Sequence, residues 1–126
     1  MASEKPLKDT FRKGVEITFN AFSDAVQTST YQSIVSTGYD SDRDPVKYPV
    51  RLIADSFSTD DVENLSFSDK IQATDVKGLV PGVDLDDLEK INTADKIVTE
   101  WDGTFLVIAY DIDPMKALYT FLLRKA

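Results

Sequence analysis

Residues 95–124 constrain the fold more than any other stretch, because three β-like runs there are cut by two turn signals. Asp102-Gly103 offers the pair that tolerates positive φ at the centre of a type I′ hairpin. Asp113-Pro114 offers a second turn, since Pro fixes φ near the value its first central position needs. The reading is a three-stranded antiparallel meander over about 96–124: Lys96 to Trp101, Thr104 to Ile112 and Ala117 to Arg124. In its middle strand Phe105, Val107 and Ala109 point one way while Leu106, Ile108 and Tyr110 point the other. The last strand sets Leu118 and Leu122 against Tyr119, Phe121 and Leu123. Both faces of these strands want cover. Either the sheet curls into a barrel under a helix or neighbouring subunits cover the second face.

Upstream, Pro6 precedes Leu7, Phe11, Val15, Phe19 and Phe22 at spacings of three and four. This pattern predicts an amphipathic helix from about Leu7 to Phe22, the natural lid for one face of the sheet. Gly14 weakens that helix by about 1 kcal/mol relative to Ala. Ala25 to Val35 is rich in Thr, Val, Ile and Tyr and reads as a partly exposed strand. Residues 36–45 break every pattern and form a long loop. Val46, Tyr48, Val50, Leu52 and Ala54 then alternate with polar neighbours, and Pro49 places this strand at an edge or a bulge. Ser58 to Glu63 begins a short helix, Lys70 to Val80 gives one or two short strands closed by a type II turn at Pro81-Gly82, and Leu85, Leu88 and Ile91 mark another helical turn. The expected fold is a single domain over 1–126 of α+β, mainly β class: a small antiparallel β-barrel or curled sheet with an N-terminal helix and a long loop.

Composition narrows the chemistry. The chain has no Cys and no His, which removes thiol catalysis, Cys-ligated zinc and the commonest general base. An enzyme built from it would depend on carboxylates, Lys, Tyr or Ser. The formal net charge is -8, with eight acids against three bases over residues 37–69 and balanced charge at both ends. Such a distribution disfavours a phosphate-binding surface. No apolar run reaches the length of a signal core or a membrane span, so a soluble protein made in a cytoplasm is expected.

The acidic loop Asp40-Ser41-Asp42-Arg43-Asp44 opens like a calcium loop and fails at Pro45, where Gly is needed, and at Arg51, where a bidentate Glu is needed. The acids at 60–61 and at 84–87 are adjacent in sequence but carry no spacing that fixes an acid and a base across a cleft. Phosphate loops, nucleophile elbows and basic–aromatic patches are absent from the sequence. Neither catalytic residue, metal ligand nor cofactor is assigned. The residues read as contacting neighbours or lining a channel are Gly38, Tyr39, Asp40, Asp42, Arg43 and Asp44 in the loop, with Asp60, Asp61 and Glu63 at the short helix.

Asp95-Lys96-Ile97, Asp102-Gly103-Thr104-Phe105-Leu106-Val107, Asp113-Pro114 and Leu118 to Arg124, with Gly38-Tyr39-Asp40 and Leu79-Val80-Pro81 earlier, together resemble the head-closure (neck) proteins of long-tailed bacteriophages. The resemblance covers about half of the chain and is strongest from Asp95 onward. It implies a virion protein that forms a ring, typically of twelve copies, between the portal or adaptor and the tail. Such a ring closes the DNA exit, lets the duplex pass without specific binding, docks the tail-terminator protein and has no membrane contact. A tail-terminator or tail-completion protein is the alternative, and a small β-barrel binding module or an acid-dependent hydrolase is a further one. Replacing Tyr39 with Ala is expected to leave the folded circular dichroism spectrum unchanged while weakening assembly; an unfolded spectrum would place Tyr39 in the core.

Overall fold

A computed structural model describes residues 4–33, 46–88 and 90–126. Helix α1 (Glu4–Ala21) comes first, followed by strands β1 (Val26–Ser33) and β2 (Val46–Asp55) and the short helix α2 (Thr59–Asn64). Strands β3 (Val76–Pro81), β4 (Lys96–Val98), β5 (Thr104–Ile112) and β6 (Leu118–Lys125) complete the chain. All ladders are antiparallel, and the strands close into a barrel in the order β1-β2-β3-β6-β5-β4. The predicted C-terminal meander is the β4-β5-β6 side of this barrel.

Alternation sorts the residues as a barrel requires. Tyr31, Val50, Leu52, Val80, Ile97, Phe105, Val107, Phe121 and Leu123 meet in one buried core, each less than 5% exposed. Full burial of a side chain of this size stabilises the fold by about 1.5–3 kcal/mol. Leu85 joins the same core from a 3-10 turn over Gly82–Leu85, with Leu88 and Ile91 packed against it. The expected helical turn is therefore only this short piece, yet its three apolar residues all face the core.

Several local expectations need correction. The turn at Pro81-Gly82 is not type II, because among the described residues the one glycine with positive φ is Gly103. Gly82 instead enters the 3-10 turn, donates its N–H to Ala117 O at 2.8 Å and lies against the Lys116 carbonyl, where a Cβ has no room. At the first hairpin only Gly103 adopts positive φ, so the turn is wider than type I′: Thr99 N–H bonds Gly103 O at 2.8 Å, and Asp102 N–H bonds Thr99 Oγ1 at 2.9 Å. β4 accordingly stops at Val98 rather than Trp101. Residues 70–75 hold no strand, and Ser68–Lys70 is a 3-10 turn. β1 turns Gln27, Ser29, Tyr31 and Ser33 inward, so its buried face is mostly polar and its sparse apolar pattern concealed the orientation. Pro49 fits the edge expectation, because β2 pairs with β3 only over Ile53–Asp55 and the stretch around Pro49 pairs with β1 alone.

The two-faced strands are partly covered within the subunit. A β-bulge at Ile108 shifts the β5 register, so that Val107 pairs with Leu123 but Ala109 pairs with Leu122. Beyond the bulge Tyr110 lies opposite Phe121, on the side that Val107 occupied before it. On the outward face Leu122 is wholly buried. The segment between β2 and β3 crosses this side, held by Lys77 to Asp61 at 2.7 Å and by Ser66 to the Asp111 carboxylate, with Phe57 edge-on against the buried Phe67. α1 runs alongside the neighbouring outward residues Ile53, Leu79 and Leu118, which line an open groove between helix and barrel and stay half-buried. The strands therefore do not by themselves require a second subunit.

Gly82→Ala is expected to lower stability by about 3 kcal/mol, the upper range for overpacking against a fixed backbone atom. Gly14→Ala makes the same chemical change in open space on α1, where a Cβ meets nothing within 4 Å, and should raise stability by about 1 kcal/mol. Urea-unfolding midpoints of both variants check the pair.

Candidate functional site

Among the described residues, the surface where α1 meets the barrel carries an open apolar groove. Two arginines fix the helix there. Arg51 on β2 forks onto Glu16 at 2.6 and 2.7 Å, and its Nε and Nη2 reach Asp84 at 3.1 and 2.9 Å. The same guanidinium stands 6.0 Å from the centre of the Phe19 ring. Arg12 on the helix forks onto Asp86 at 2.7 and 2.6 Å and donates to Lys116 O at 3.2 Å. Bidentate pairs of this kind fix orientation as well as distance.

Those clamps decide which flank of α1 faces inward. Arg12, Glu16 and Phe19 share one side of the helix and take the barrel contact. The apolar stripe read from the sequence is rotated partly outward. Phe19 is buried and Val15 half-buried, whereas Leu7, Phe11 and Phe22 stand exposed with Ile17 beside them. Between this flank and the barrel runs an open apolar groove of about 440 Å³, lined on the helix by Phe11, Gly14, Val15 and Phe19 and on the barrel by Ile53, Leu79 and Leu118. Among the described residues no carboxylate lines it.

A second, more open cavity of about 380 Å³ lies at one end of the barrel, with Asp55, Asp75, Asp102 and Lys125 around Phe105. Its charged groups serve the scaffold. Asp75 accepts from Arg124 Nε and Nη2, both at 2.9 Å, and from Gln72 N–H at 2.8 Å. Asp102 accepts from Gln27 Nε2 at 2.8 Å, and Lys125 donates to Asp102 O while standing 5.1 Å from the centre of the Phe105 ring. In the core the Tyr31 hydroxyl donates to Asp95 Oδ2 at 2.5 Å, and Asn92 N–H donates to the same oxygen at 2.9 Å. Burial first, and then this bond to Asp95, push the Tyr31 phenol well above its ordinary value. Among the described residues no group of three acids converges as a metal site.

Of the residues singled out by sequence, Gly38, Tyr39, Asp40, Asp42, Arg43 and Asp44 lie outside the described residues. Asp60 and Glu63 are exposed on the outer side of α2. Asp61 instead faces the barrel, where it closes a capping box with Ser58 and pairs with Lys77. The structure thus separates these three acids into two surface charges and one internal tether. The clamps on α1 were not foreseen, because Arg51 and Glu16 are 35 positions apart and Arg12 and Asp86 are 74 apart, with no local signal joining them. Comparison with known protein families, curated proteins and solved structures finds no match to this chain.

Glu16, Asp61, Asp75 and Asp86 are all held below their ordinary values of 4.5 for Glu and 3.8 for Asp, chiefly by hydrogen bonds from Arg51, Lys77, Arg124 and Arg12 respectively. A carboxyl depressed in the folded state adds stability that is present above its unfolded value and lost as pH falls through its folded value. The urea midpoint should therefore stay level above about pH 5 and drop progressively in more acid solution. Arg51→Met, which removes the cause of the Glu16 depression, should give a shallower drop; a midpoint that rises on acidification would contradict the assignment.

Proposed function

We propose that this protein is a structural component of a phage neck, forming a ring between portal or adaptor and tail that closes the filled head and presents the docking surface for the tail-terminator protein. The observation that carries the reading is the division of labour among its side chains. Asp75, Asp102 and Lys125 at the end cavity and Arg12 and Glu16 on α1 are tied into the scaffold, while the conspicuous unused surface is apolar: the outer flank of α1 and the groove beneath it. Exposed apolar surface bordered by polar residues suits contact with other proteins. The net charge of -8 supports a wall past which DNA can slide without being gripped.

Barrel closure, α1 and the segment between β2 and β3 supply part of the cover that the two-faced strands need, so those strands do not by themselves call for a neighbouring subunit. The resemblance of residues 95–124 to neck proteins remains its sequence-side support. Asp60 and Glu63 on α2 are placed in this reading at a contact with a neighbour, and assembly occurs in the virion after synthesis in the bacterial cytoplasm. The 440 Å³ groove favours one second reading, a small-molecule or peptide binding barrel.

Mixing the purified protein with portal rings, with and without adaptor, and separately with purified tails, and imaging the products by cryo-electron microscopy tests the proposal. A ring of this chain at the tail-facing end of the portal is expected. Its occurrence only at the tail end would favour the tail-terminator alternative, and failure to bind either structure would overturn the neck reading.

A further inference from the structure

Among the described residues, the buried core of the barrel takes its side chains from all six strands and from the turn over Gly82–Leu85, and none from α1. Closure of the barrel likewise involves strands alone. Of residues 7–21 on α1, Phe19 is the one buried side chain; Lys8, Arg12, Val15 and Glu16 are half-buried and the others exposed. The helix is therefore held to a body that is complete without it, chiefly by Phe19 and by the two arginine clamps.

The clamps are arranged so that parting them leaves no charge buried and bare. Glu16 and Asp86 keep 40% and 47% of their side chains in water while paired, so each regains its hydration as soon as its arginine leaves. Arg51 stays with the barrel and retains Asp84, which accepts from Nη2 and from the Arg51 backbone N–H, both at 2.9 Å. Asp84, at 15%, is the least exposed of the five charges at the junction, and its partner lies on its own side of it. Had it been paired with a helix residue, separation would leave a buried carboxylate alone, which is costly. The link to β1 is equally permissive. Phe22 to Ala25 are all exposed, with a single 3-10 turn (Ser23–Ala25) closed by Ala25 N–H on Phe22 O at 2.8 Å. An 18-residue helix with Gly14 in its interior is marginal alone in water, so release from the barrel also frees it to unwind.

We propose that α1 is a releasable strap: it undocks from the barrel as a unit, hinging at residues 22–25, while the six strands stay closed. The docked helix runs along an apolar strip of Ile53, Leu79 and Leu118, and release uncovers that strip together with Val15 and Phe19 of the helix. The undocked form is a minor state, on the order of 1% of molecules. The device belongs to the isolated chain and does not rest on the neck reading.

Native-state hydrogen exchange, followed by mass spectrometry in increasing urea, tests this. Amides of α1 should be protected about 100-fold with a shallow dependence on urea, because undocking exposes little surface. Those of β2, β5 and β6 should be protected at least about 10⁴-fold with a steep dependence, because they exchange only when the barrel unfolds. Arg12→Ala combined with Glu16→Ala removes the helix side of both clamps while placing the best helix former at each position. This double variant should lower α1 protection about tenfold and keep its shallow urea slope. If it does not fold, the wild type in 1 M NaCl, where charges are screened beyond about 3 Å, should show α1 protection falling in the same direction. A common protection and a common urea slope for α1 and the strands would overturn the proposal, as would α1 protection that neither the double variant nor salt lowers. Portal binding is read in a separate assay, so either proposal can fail without the other.

Discussion

The barrel depends on closure between β1 and β4, a ladder of only three residue pairs. Only Thr30–Val98, Tyr31–Ile97 and Gln32–Lys96 pair there, and without them the sheet would have two open edges. The buried bond from Tyr31 to Asp95 reinforces this seam from inside. Asp95 stands immediately before β4 and is wholly buried, as is Tyr31. A carboxylate in that position without partners would cost several kcal/mol, so the bonds that satisfy it also fix where β4 begins. Joining residues 64 positions apart costs chain entropy that grows only slowly with the length of the loop. The core residues packed around Tyr31, above all Ile97 and Phe121, supply the opposing term.

A second organising rule is the use of acid as internal fastening. Net negative charge works against compactness, but here many carboxylates are placed where they hold one element to another. Asp84 and Asp86 secure α1 through arginines, Asp61 secures the segment after β2 through Lys77, and Asp75 joins the start of β3 to the end of β6. Asp113 does the same within a turn, accepting from Met115, Ala117 and Leu118 N–H groups so that β6 can start. These partly exposed pairs are individually modest contributors because solvent screens them. Their geometric effect is larger: they set the roll of α1, and with it the apolar surface that is left uncovered.

Legibility in the sequence followed the range of the interaction. The capping box at Ser58 and Asp61 could be anticipated because its partners are three residues apart. The β2 strand was visible in the alternation of Val46, Tyr48, Val50 and Leu52, and the β5–β6 hairpin in Asp113-Pro114. The bulge at Ile108 was invisible, since an apolar residue fits either side of an apolar strand and no Gly marks the site. The inward face of β1 was hidden for the opposite reason: Gln27, Ser29 and Ser33 are polar yet buried, with Gln27 tied to Asp102 and to the Trp101 N–H.

The chain's own sequence determined a mainly antiparallel β domain preceded by one amphipathic helix, because periods of two and of 3.6 residues, Gly and Pro positions and local caps are properties of neighbouring residues. Tertiary structure alone decided that the strands close on themselves, that their outward faces are partly covered within the subunit, and that α1 turns a flank of Leu7, Phe11 and Ile17 to solvent. Each of those outcomes rests on contacts between residues tens of positions apart, chiefly Arg51 with Glu16, Arg12 with Asp86 and Tyr31 with Asp95, whose geometry arises only when the barrel brings them together.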